Sequence, residues 1–552
     1  MGKLKDSARV LILLSAAVVL LSVKSFLVTP SGYETPSYLK ENATEGIENE
    51  RENVGIGVTT DNPESTKVGM DVLKRGGNAV DAAIAISYSL AVTEPSASGI
   101  GGGGLMLIHP PEGSSKEPVV YDYRETAPSE ESMPDSKVGI PGFVKGMDEV
   151  HKDYGTESME NLMKPAISQA KNGVNVSNNL HLRLSDAGYK VQGDNIEKFF
   201  PNGKTIKEGA KLKQQELAET MTEISKKGPE AFYQGEIAEN LEEKTEISKD
   251  DLREYEVNKT EPIKGNFKDF NVLAPPPPAG GVMLVQSLQV AEHLNLENKT
   301  ENQADFIESA GEINDKTYAN RYDNIGDPAF VDVPTNKLIS EEYTKELAGD
   351  VSSDELDEEN VTKGEKDKDG NTTHFVVVDQ NGMMVSVTNT ISDYFGSGLY
   401  TNGFFLNNQL DNFTRSDDSP NEYEPGKRPY SYISPTILTK DEKPVIGIGM
   451  AGGRRITPVL TQVLSRHLLF DMPIQQAIDE NRIHKNLDEK EIYLEERFPE
   501  KTKKELEERG YSLNERQTPE YFGSVQSLIV DYKEDKVYGG AEPRRNGEWS
   551  IR

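Results

Sequence analysis

Hydrophobic positions recur with helical spacing in two consecutive stretches near the start of the patterned part of the chain. These stretches are PESTKVGMDVLKRGG (63–77) and NAVDAAIAISYSLAV (78–92). The double glycine that closes the first is typical of a helix end, and Asn78 is a typical N-cap for the second. The glycine run of SGIGGGGLMLIH (98–109) then leads into an apolar strand. Its glycines favour close backbone packing over ligand contact, because the Lys and Ser or Thr of a P-loop do not follow them.

Later patterns switch repeatedly between strand and helix. The stretch VVYDYRETAP (119–128) predicts a strand that ends near Arg124, while residues 157–252 and 300–349 are mostly helical in pattern. After residue 372, two alternating runs flank Asn-Gly, the strongest short hairpin signal. Further short strands, two helices and a last hairpin complete the chain. This order predicts a mixed α/β (α+β) fold.

One segment cannot belong to a packed core. Residues 350–371, DVSSDELDEENVTKGEKDKDGN, contain nine acidic residues, three lysines and no aromatic residue. Such a segment buries too little apolar surface to offset the entropy of ordering, so we expect it to be exposed. It ends directly before Thr372 and Thr373, which open an apolar strand.

Composition excludes several classes of function. The 552 residues include 93 acidic and 61 basic side chains, a net charge of −32, which disfavours binding to nucleic acid or to anionic membranes. Cysteine is absent, which excludes disulfides, thiol catalysis and zinc fingers. The seven histidines show no paired spacing. We therefore predict neither a metal site nor another cofactor.

The N-terminus resembles a targeting segment. Three basic residues precede the apolar run VLILLSAAVVLLSV (10–23), which is shorter than the roughly 20 residues that span a bilayer. Residues 1–28 are predicted to be an export signal or a membrane anchor, and the pattern leaves both open. Residues 29–54 read as a polar linker.

The junction between the acidic segment and the apolar strand, at Asn371 and Thr372, has a chemical interpretation. A threonine hydroxyl needs a neighbouring base to act as a nucleophile, and its own α-amine titrates near pH 8. That amine exists only after the preceding peptide bond is cut. The change from exposed segment to core strand therefore suggests cleavage between Asn371 and Thr372.

Several motifs together make the chain similar to one family from about residue 55 to its end. They are SGIGGGG, DYRETAP, TTHFVVVD, GFFLNNQLDNF, GKRPYSYISPTI and GGRRI. Their order and spacing resemble the γ-glutamyltransferase family of N-terminal nucleophile hydrolases. The resemblance implies a four-layer αββα sandwich and autocatalytic cleavage into a heterodimer. The large subunit would be residues 55–371, with an acidic tail from residue 350, and the small catalytic subunit residues 372–552.

The resemblance also implies catalytic roles. Thr372 matches the nucleophile, and Thr390 matches the threonine that hydrogen-bonds it. Gly452 and Gly453 match the pair whose backbone N–H groups stabilise the tetrahedral oxygen. The residues themselves support this, because Thr457-Pro458 resembles a helix start, where N–H groups point outward.

Substrate contacts are implied in the same way. Arg124 matches the arginine that binds the donor's α-carboxylate, and Gln409 matches a donor-binding glutamine. Ser431 keeps the first member of a serine pair, and Tyr432 stands in place of the second. Asn412 replaces the aspartate that pairs with the free α-ammonium of glutathione. Inside a γ-linked polymer that nitrogen is a neutral amide, which an asparagine side chain matches.

Two further features favour a polymeric donor. The link from residue 412 to residue 431 is too short for the lid of many glutathione-type members. Four arginines, Arg454, Arg455, Arg544 and Arg545, are candidates for holding a polyanion, with plain surface solubility as the alternative. Together these features resemble the branch of the family that acts on capsular poly-γ-glutamate in Gram-positive bacteria.

Three functions remain open from the sequence. The first is an exported enzyme that cleaves poly-γ-glutamate through a γ-glutamyl ester on Thr372 and passes the acyl group to an amine, such as a peptidoglycan amine, or to water. The second is a glutathione hydrolase or γ-glutamyltransferase with small donors. The third is a non-catalytic surface-binding protein, which the intact catalytic motifs disfavour.

Overall fold

A computed structural model describes residues 55–299, 303–351, 370–416, 419–486, 490–496 and 498–552. These residues belong to one unit, Thr44–Arg552. The predicted export segment, the linker and most of the acidic run 350–371 lie outside them. Across the described ranges, no helix combines the length and the apolar character needed to cross a bilayer.

The helices, in chain order, are α1 Pro63–Lys74, α2 Ala79–Thr93, α3 Phe143–Tyr154, α4 Met159–Asn172, α5 Asn178–Ala187, α6 Gln215–Lys227, α7 Glu230–Tyr233, α8 Glu236–Thr245, α9 Lys249–Glu254, α10 Gly281–His293, α11 Gln303–Asn324, α12 Thr335–Leu338, α13 Glu341–Val351, α14 Ile456–Leu468, α15 Ile474–Asp479 and α16 Glu500–Glu508.

The strands are β1 Gly57–Thr60, β2 Gly103–His109, β3 Val119–Asp122, β4 Val174–Asn175, β5 Gln192–Gly193, β6 Lys211–Leu212, β7 Asn258–Thr260, β8 Ile263–Phe267, β9 Phe270–Ala274, β10 Gly370–Val378, β11 Met384–Asp393, β12 Leu399–Thr401, β13 Phe404–Phe405, β14 Thr436–Lys440, β15 Lys443–Ala451, β16 Ile483–Lys485, β17 Glu491–Glu495, β18 Ser512–Arg516, β19 Ser524–Asp531, β20 Lys536–Ala541 and β21 Glu548–Ile551.

Two antiparallel sheets stack face to face at the centre. The first has the order β21-β1-β10-β11-β2-β3-β7, and the second has the order β20-β19-β15-β14-β9-β8. Strands β10 and β11 contact β15 across the interface. Helices α1 and α2 cover the first sheet, and α10 and α14 cover the second. The result is the predicted αββα sandwich, in which each sheet buries both faces.

Local sequence signals explain the first elements. Helix α2 starts with a capping box between Asn78 and Asp81, and every residue of the helix is buried, which fits its nearly continuous apolar sequence. The glycine run packs backbone against backbone. A Cβ on Gly101 would lie 2.2 Å from the carbonyl oxygen of Phe405, and one on Gly102 would lie 2.2 Å from that of Thr390. The prediction of close packing is confirmed.

Two local predictions are wrong. Strand β10 begins at Gly370, and Asn371 is only 1% exposed, so the last two residues of the acidic run are part of the sheet. Thr457 is not an N-cap, because a 3-10 turn, Gly453–Arg455, leads directly into α14. Arg455 occupies the cap position without a side-chain hydrogen bond there. The helix start nevertheless follows the glycine pair, as expected.

Candidate active site

The β10–β11 hairpin places Thr372 at the centre of the first sheet. Thr372 lies opposite Thr390, and a register shift separates this pair from the pair Gly370 and Asp393. The shift adds a residue to β11, and Ser392 there adopts a left-handed φ of 78°. Such bulges are common beside active sites, since they redirect side chains.

The peptide bond between Asn371 and Thr372 is held by hydrogen bonds from several sides. The Thr390 hydroxyl donates to the carbonyl oxygen of Asn371 at 3.0 Å. The Asn371 side chain accepts from the Thr372 backbone N–H at 3.2 Å and donates to the Ser96 carbonyl at 3.1 Å. The backbone N–H of Ser392 donates to the Thr390 hydroxyl at 2.9 Å, which orients that hydroxyl. In the uncleaved chain, Thr390 therefore polarises the carbonyl of the predicted scissile bond.

Two buried ionisable side chains, Asp61 and Arg545, contact the residues next to this bond. Asp61 accepts from the backbone N–H of His374 at 2.9 Å and from Gln526 at 2.9 Å. Burial raises the pKa of Asp61. Arg545, 3% exposed, reaches the Asn371 side-chain oxygen at 3.4 Å and the Glu520 carbonyl at 2.8 Å. Arg545 therefore supports the residue before the scissile bond.

His374 is unsuited to act as the base for Thr372, although it lies two residues along the same strand. Its ring is fully buried and its Nδ1 is 2.9 Å from the Thr388 hydroxyl. Burial lowers the pKa of His374 to about 3, so the ring is neutral at physiological pH. The α-amine that cleavage would release on Thr372 is a base of suitable pKa in immediate reach.

Thr372 opens onto a pocket. The residues that line it are Arg321, Gly370, Thr372, Thr390, Ser392, Asp393, Gln409, Asp411, Asn412, Tyr430, Ser431, Tyr432, Ile433, Gly453, Arg454 and Ile456. Among these lining residues there is no histidine, lysine or cysteine. The sequence-predicted residues Thr390, Gln409, Asn412, Ser431, Tyr432, Gly453 and Arg454 are thus brought together around Thr372.

The glycine pair lies at the start of α14, close to β10. Gly453 lines the pocket, whereas Gly452 does not. A Cβ on Gly370 would lie 2.7 Å from the Cα of Gly453, so the backbone of the turn packs directly on the strand two residues before Thr372. A backbone N–H near a helix start is a suitable donor to a developing oxyanion. The oxyanion role of Gly452 and Gly453 stays a prediction.

Arg124 is not placed in the pocket. Its side chain forms a fork to Asp122, with Nε at 2.9 Å and Nη2 at 2.6 Å, and Nη1 donates to the Pro429 carbonyl at 3.2 Å. Burial would raise the pKa of Asp122, but Arg124 and Arg428 bring it below its ordinary value. In this state Arg124 supports the Pro429–Ile433 segment, which forms one wall of the pocket, instead of facing a ligand.

The four candidate arginines are divided among different places. Arg454 lines the pocket. Arg455 is fully buried, with its guanidinium 4.2 Å from the Tyr521 ring centre. Arg544 pairs with Glu495 at 2.5 Å and with Glu542 at 2.9 Å. Neither Arg544 nor the buried Arg545 lines the pocket. Arg544 contacts Glu495 at the end of β17, and Arg545 contacts the side chain of Asn371.

Three charged lining residues were not identified from the sequence. Asp393 is the last residue of β11, and Asp411 lies between Gln409 and Asn412. The Asn408 amide bridges these two carboxylates at 3.0 and 3.1 Å. Arg321 comes from α11, distant in sequence from every quoted motif. A signal for it existed, because Tyr318, Arg321 and Tyr322 have the i, i+3, i+4 spacing of one helix face.

Comparisons with known proteins show the family of the chain. Residues 65–551 match the family model for gamma-glutamyltranspeptidase. The capsule biosynthesis protein CapD proenzyme of Bacillus anthracis is 38% identical over 511 residues, 93% of each chain. The glutathione hydrolase proenzyme of Bacillus subtilis (strain 168) is 34% identical, over 89% of this chain and 90% of that protein. The crystal structure of cephalosporin acylase from Bacillus halodurans superposes with a TM-score of 0.80 at 25% identity, covering 93% of this chain and 98% of that one. The chain therefore belongs to the gamma-glutamyltranspeptidase family.

Proposed function

We propose that this protein is an exported γ-glutamyl transpeptidase and hydrolase that acts on poly-γ-glutamate. The observation that carries the proposal is the site around Thr372. A buried threonine follows a peptide bond whose carbonyl accepts from Thr390, and it opens onto a pocket lined by two arginines, Arg321 and Arg454. Export rests on the basic residues and the apolar run 10–23 of the sequence.

Self-cleavage begins with Thr372 in the proposed mechanism. Its hydroxyl oxygen adds to the carbonyl carbon of Asn371, while the Thr390 hydroxyl stabilises the charge that develops on the carbonyl oxygen. The C–N bond breaks, the α-amine of Thr372 takes up the proton, and an ester joins the Asn371 acyl group to the Thr372 oxygen. Water hydrolyses this ester. The products are a carboxylate on Asn371 and a free N-terminal Thr372, and the two fragments stay together as a heterodimer.

Turnover uses the new N-terminus. The α-amine of Thr372 accepts the hydroxyl proton as the oxygen adds to the γ-carbonyl of the donor. In this proposal the backbone N–H groups of the predicted pair, Gly452 and Gly453, stabilise the oxyanion. The amide C–N bond breaks, the leaving amine receives the proton, and a γ-glutamyl ester remains on Thr372. An amine acceptor completes transpeptidation, and water completes hydrolysis.

Two features support a polymeric donor. Arg321 and Arg454 place two cations in one pocket, and a γ-glutamyl chain carries one α-carboxylate on every unit. Asn412 lies in the same lining, with its amide 3.4 Å from the Ser392 hydroxyl, and it suits the neutral amide nitrogen inside a chain. The similarity to the capsule biosynthesis protein of Bacillus anthracis points the same way.

Glutathione cleavage is the second candidate, and a specific observation favours it. Asp393 and Asp411 line the pocket beside Asn412, so carboxylates that can pair with a free α-ammonium are present despite the asparagine. The similarity to the Bacillus subtilis glutathione hydrolase agrees with this alternative.

One experiment separates the two candidates. Purified, fully self-cleaved protein is incubated in parallel with poly-γ-glutamate and with glutathione, and the products are sized by chromatography and mass spectrometry. The proposal expects rapid shortening of the polymer and slow release of cysteinylglycine. Rapid glutathione cleavage with an unchanged polymer would replace the proposal by the second candidate.

Asn412→Asp is expected to shift activity from the polymer to small donors. The new carboxylate would face an amide and neighbouring carboxylates in the polymer complex, but in a small donor it would pair with a free ammonium. A charge-assisted hydrogen bond is stronger than a neutral one by about 1 kcal/mol, so we expect opposite changes of roughly fivefold in the two kcat/KM values. Asn172→Asp adds the same charge at an exposed helix end and should change neither. If the variant lost its small-donor activity and kept polymer cleavage, Asn412 would have no role in selecting the donor.

Arg124→Lys is expected to weaken donor binding while self-cleavage continues. Lysine cannot reproduce the fork to Asp122 together with the bond to the Pro429 carbonyl, so the Pro429–Ile433 wall loses its support. Hydrogen bonds to charged groups contribute about 1.5–3 kcal/mol to stability, so the wall should loosen and KM for the donor should rise. Arg482→Lys changes another fully buried, carboxylate-paired arginine and should leave KM unchanged. Equal KM values for Arg124→Lys and the wild type would contradict this role.

A further inference from the structure

Arg321 is held among four aromatic rings in the wall of the pocket. Its guanidinium carbon lies 4.7 Å from the ring centre of Tyr318, 4.3 Å from that of Tyr322, 4.4 Å from that of Tyr430 and 5.1 Å from that of Tyr432. Only 6% of the residue is exposed, yet it lines the pocket with Thr372. Guanidinium always stays protonated in proteins, so the tyrosine faces fix a permanent positive charge at this wall.

Tyr432 connects the Arg321 guanidinium to the pocket through a hydrogen bond. Its hydroxyl oxygen accepts from Nη1 of Arg321 at 2.5 Å and also from the Tyr318 hydroxyl. Because guanidinium can only donate, the Tyr432 oxygen is the acceptor, and its own proton is left for another partner. Tyr432 lines the pocket, so a carboxylate there could accept from its polarised hydroxyl.

The connectivity of a γ-linked donor decides which neighbouring unit stays near Thr372 during the reaction. The acyl group on Thr372 occupies the pocket through both half-reactions. In a γ-linked donor, the unit on the amino side of that acyl group remains attached to it, whereas the leaving unit departs.

We propose that Arg321 and Tyr432 form a subsite for the α-carboxylate of the glutamyl unit on the amino side of the unit that acylates Thr372. This inference rests on the proposed function for its substrate class and adds a determinant of chain length to it. A donor with two γ-linked units would make one charge-assisted contact that a single unit cannot make. The enzyme would therefore prefer chains to single γ-glutamyl groups.

The test compares γ-glutamyl p-nitroanilide with γ-glutamyl-γ-glutamyl p-nitroanilide, which share a leaving group and differ by the one added unit. The ratio of their kcat/KM values is measured on self-cleaved protein. We expect the wild type to favour the longer donor. Arg321→Gln should lower this ratio by about 10- to 100-fold, the range for a hydrogen bond to a charged group. Tyr432→Phe keeps the ring packing and should lower it by about three- to tenfold.

Arg516→Gln is the matched control. Arg516 also lies between tyrosine rings, 4.7 Å from Tyr493 and 4.9 Å from Tyr521, but outside this pocket. It should leave the ratio unchanged. Equal losses on both donors in Arg321→Gln and Tyr432→Phe would assign the pair a structural role and overturn the subsite. If the wild type leaves long polymer intact but still favours the longer nitroanilide, the subsite stands and only the polymer function fails.

Discussion

Thr372→Ala should be purified as a single uncleaved chain without γ-glutamyl transfer or hydrolysis. The substitution removes the oxygen that attacks Asn371 and the oxygen that would carry the acyl group, so both reactions are lost together. Removal of a catalytic nucleophile lowers turnover on the order of 10⁶-fold, which places residual activity at background. A denaturing gel shows the chain state, and release of p-nitroaniline from a γ-glutamyl donor shows the activity.

The neighbouring threonine is the matched control. Thr373 is also buried, at 1% exposure, but its side chain points to the opposite face of β10. Thr373→Ala should still yield two fragments and an active enzyme. Thr372→Ser keeps the hydroxyl and should cleave, more slowly. A Thr372→Ala protein that is cut and active would exclude the mechanism.

Thr390→Val should slow self-cleavage by about 10²- to 10³-fold, the cost of losing one donor to a developing oxyanion. Valine keeps the shape and the strand preference of threonine but cannot donate to the Asn371 carbonyl, which now accepts at 3.0 Å. The uncut chain should therefore accumulate and convert over hours in a gel time course. Thr390→Ser should cleave at a rate near that of the wild type.

Thr388→Val tests whether any buried hydroxyl on this strand has the same effect. Thr388 lies on β11 two residues earlier, is fully buried, and bonds His374 instead of the scissile carbonyl. This variant should mature normally if it folds, which its melting temperature checks. Equal slowing in Thr388→Val and Thr390→Val would attribute the defect to strand packing.

Several elements could be predicted because their signals are local, whereas the αββα layering was expected only from the family resemblance. Helices α1 and α2 follow from the spacing of apolar residues and the Asn78 cap, and the β10–β11 hairpin follows from Asn381-Gly382. The position of β21 could not be predicted, because β21 pairs with β1 from the opposite end of the chain. Pairing over such separation depends on the packed core and not on neighbouring residues. The predicted start of β10 at Thr372 was wrong for the same reason, because pairing with neighbouring strands extends β10 back to Gly370 in the polar run.

In the candidate site, too, the short sequence motifs could be predicted, but the directions of individual side chains could not. Motif residues close to Thr372 in space were found, since the resemblance covers short continuous stretches. Orientation was harder to predict. Arg124 turns toward Asp122, and the two arginine pairs separate, because consecutive residues in a tight turn point in different directions. Arg321 was missed because a tyrosine-rich helix face is usually core, and only the tertiary structure brings it to Thr372.

Mapping of the acyl-enzyme tests whether Thr372 is the nucleophile. Self-cleaved protein is mixed with γ-glutamyl p-nitroanilide, quenched in acid within one turnover, digested and analysed by mass spectrometry. We expect the small fragment to begin at Thr372 and its N-terminal peptide to carry one glutamyl group as an ester on the Thr372 oxygen. A glutamyl group on any other residue, or rapid turnover by a chain that remains uncut at Asn371, would contradict this assignment of the nucleophile.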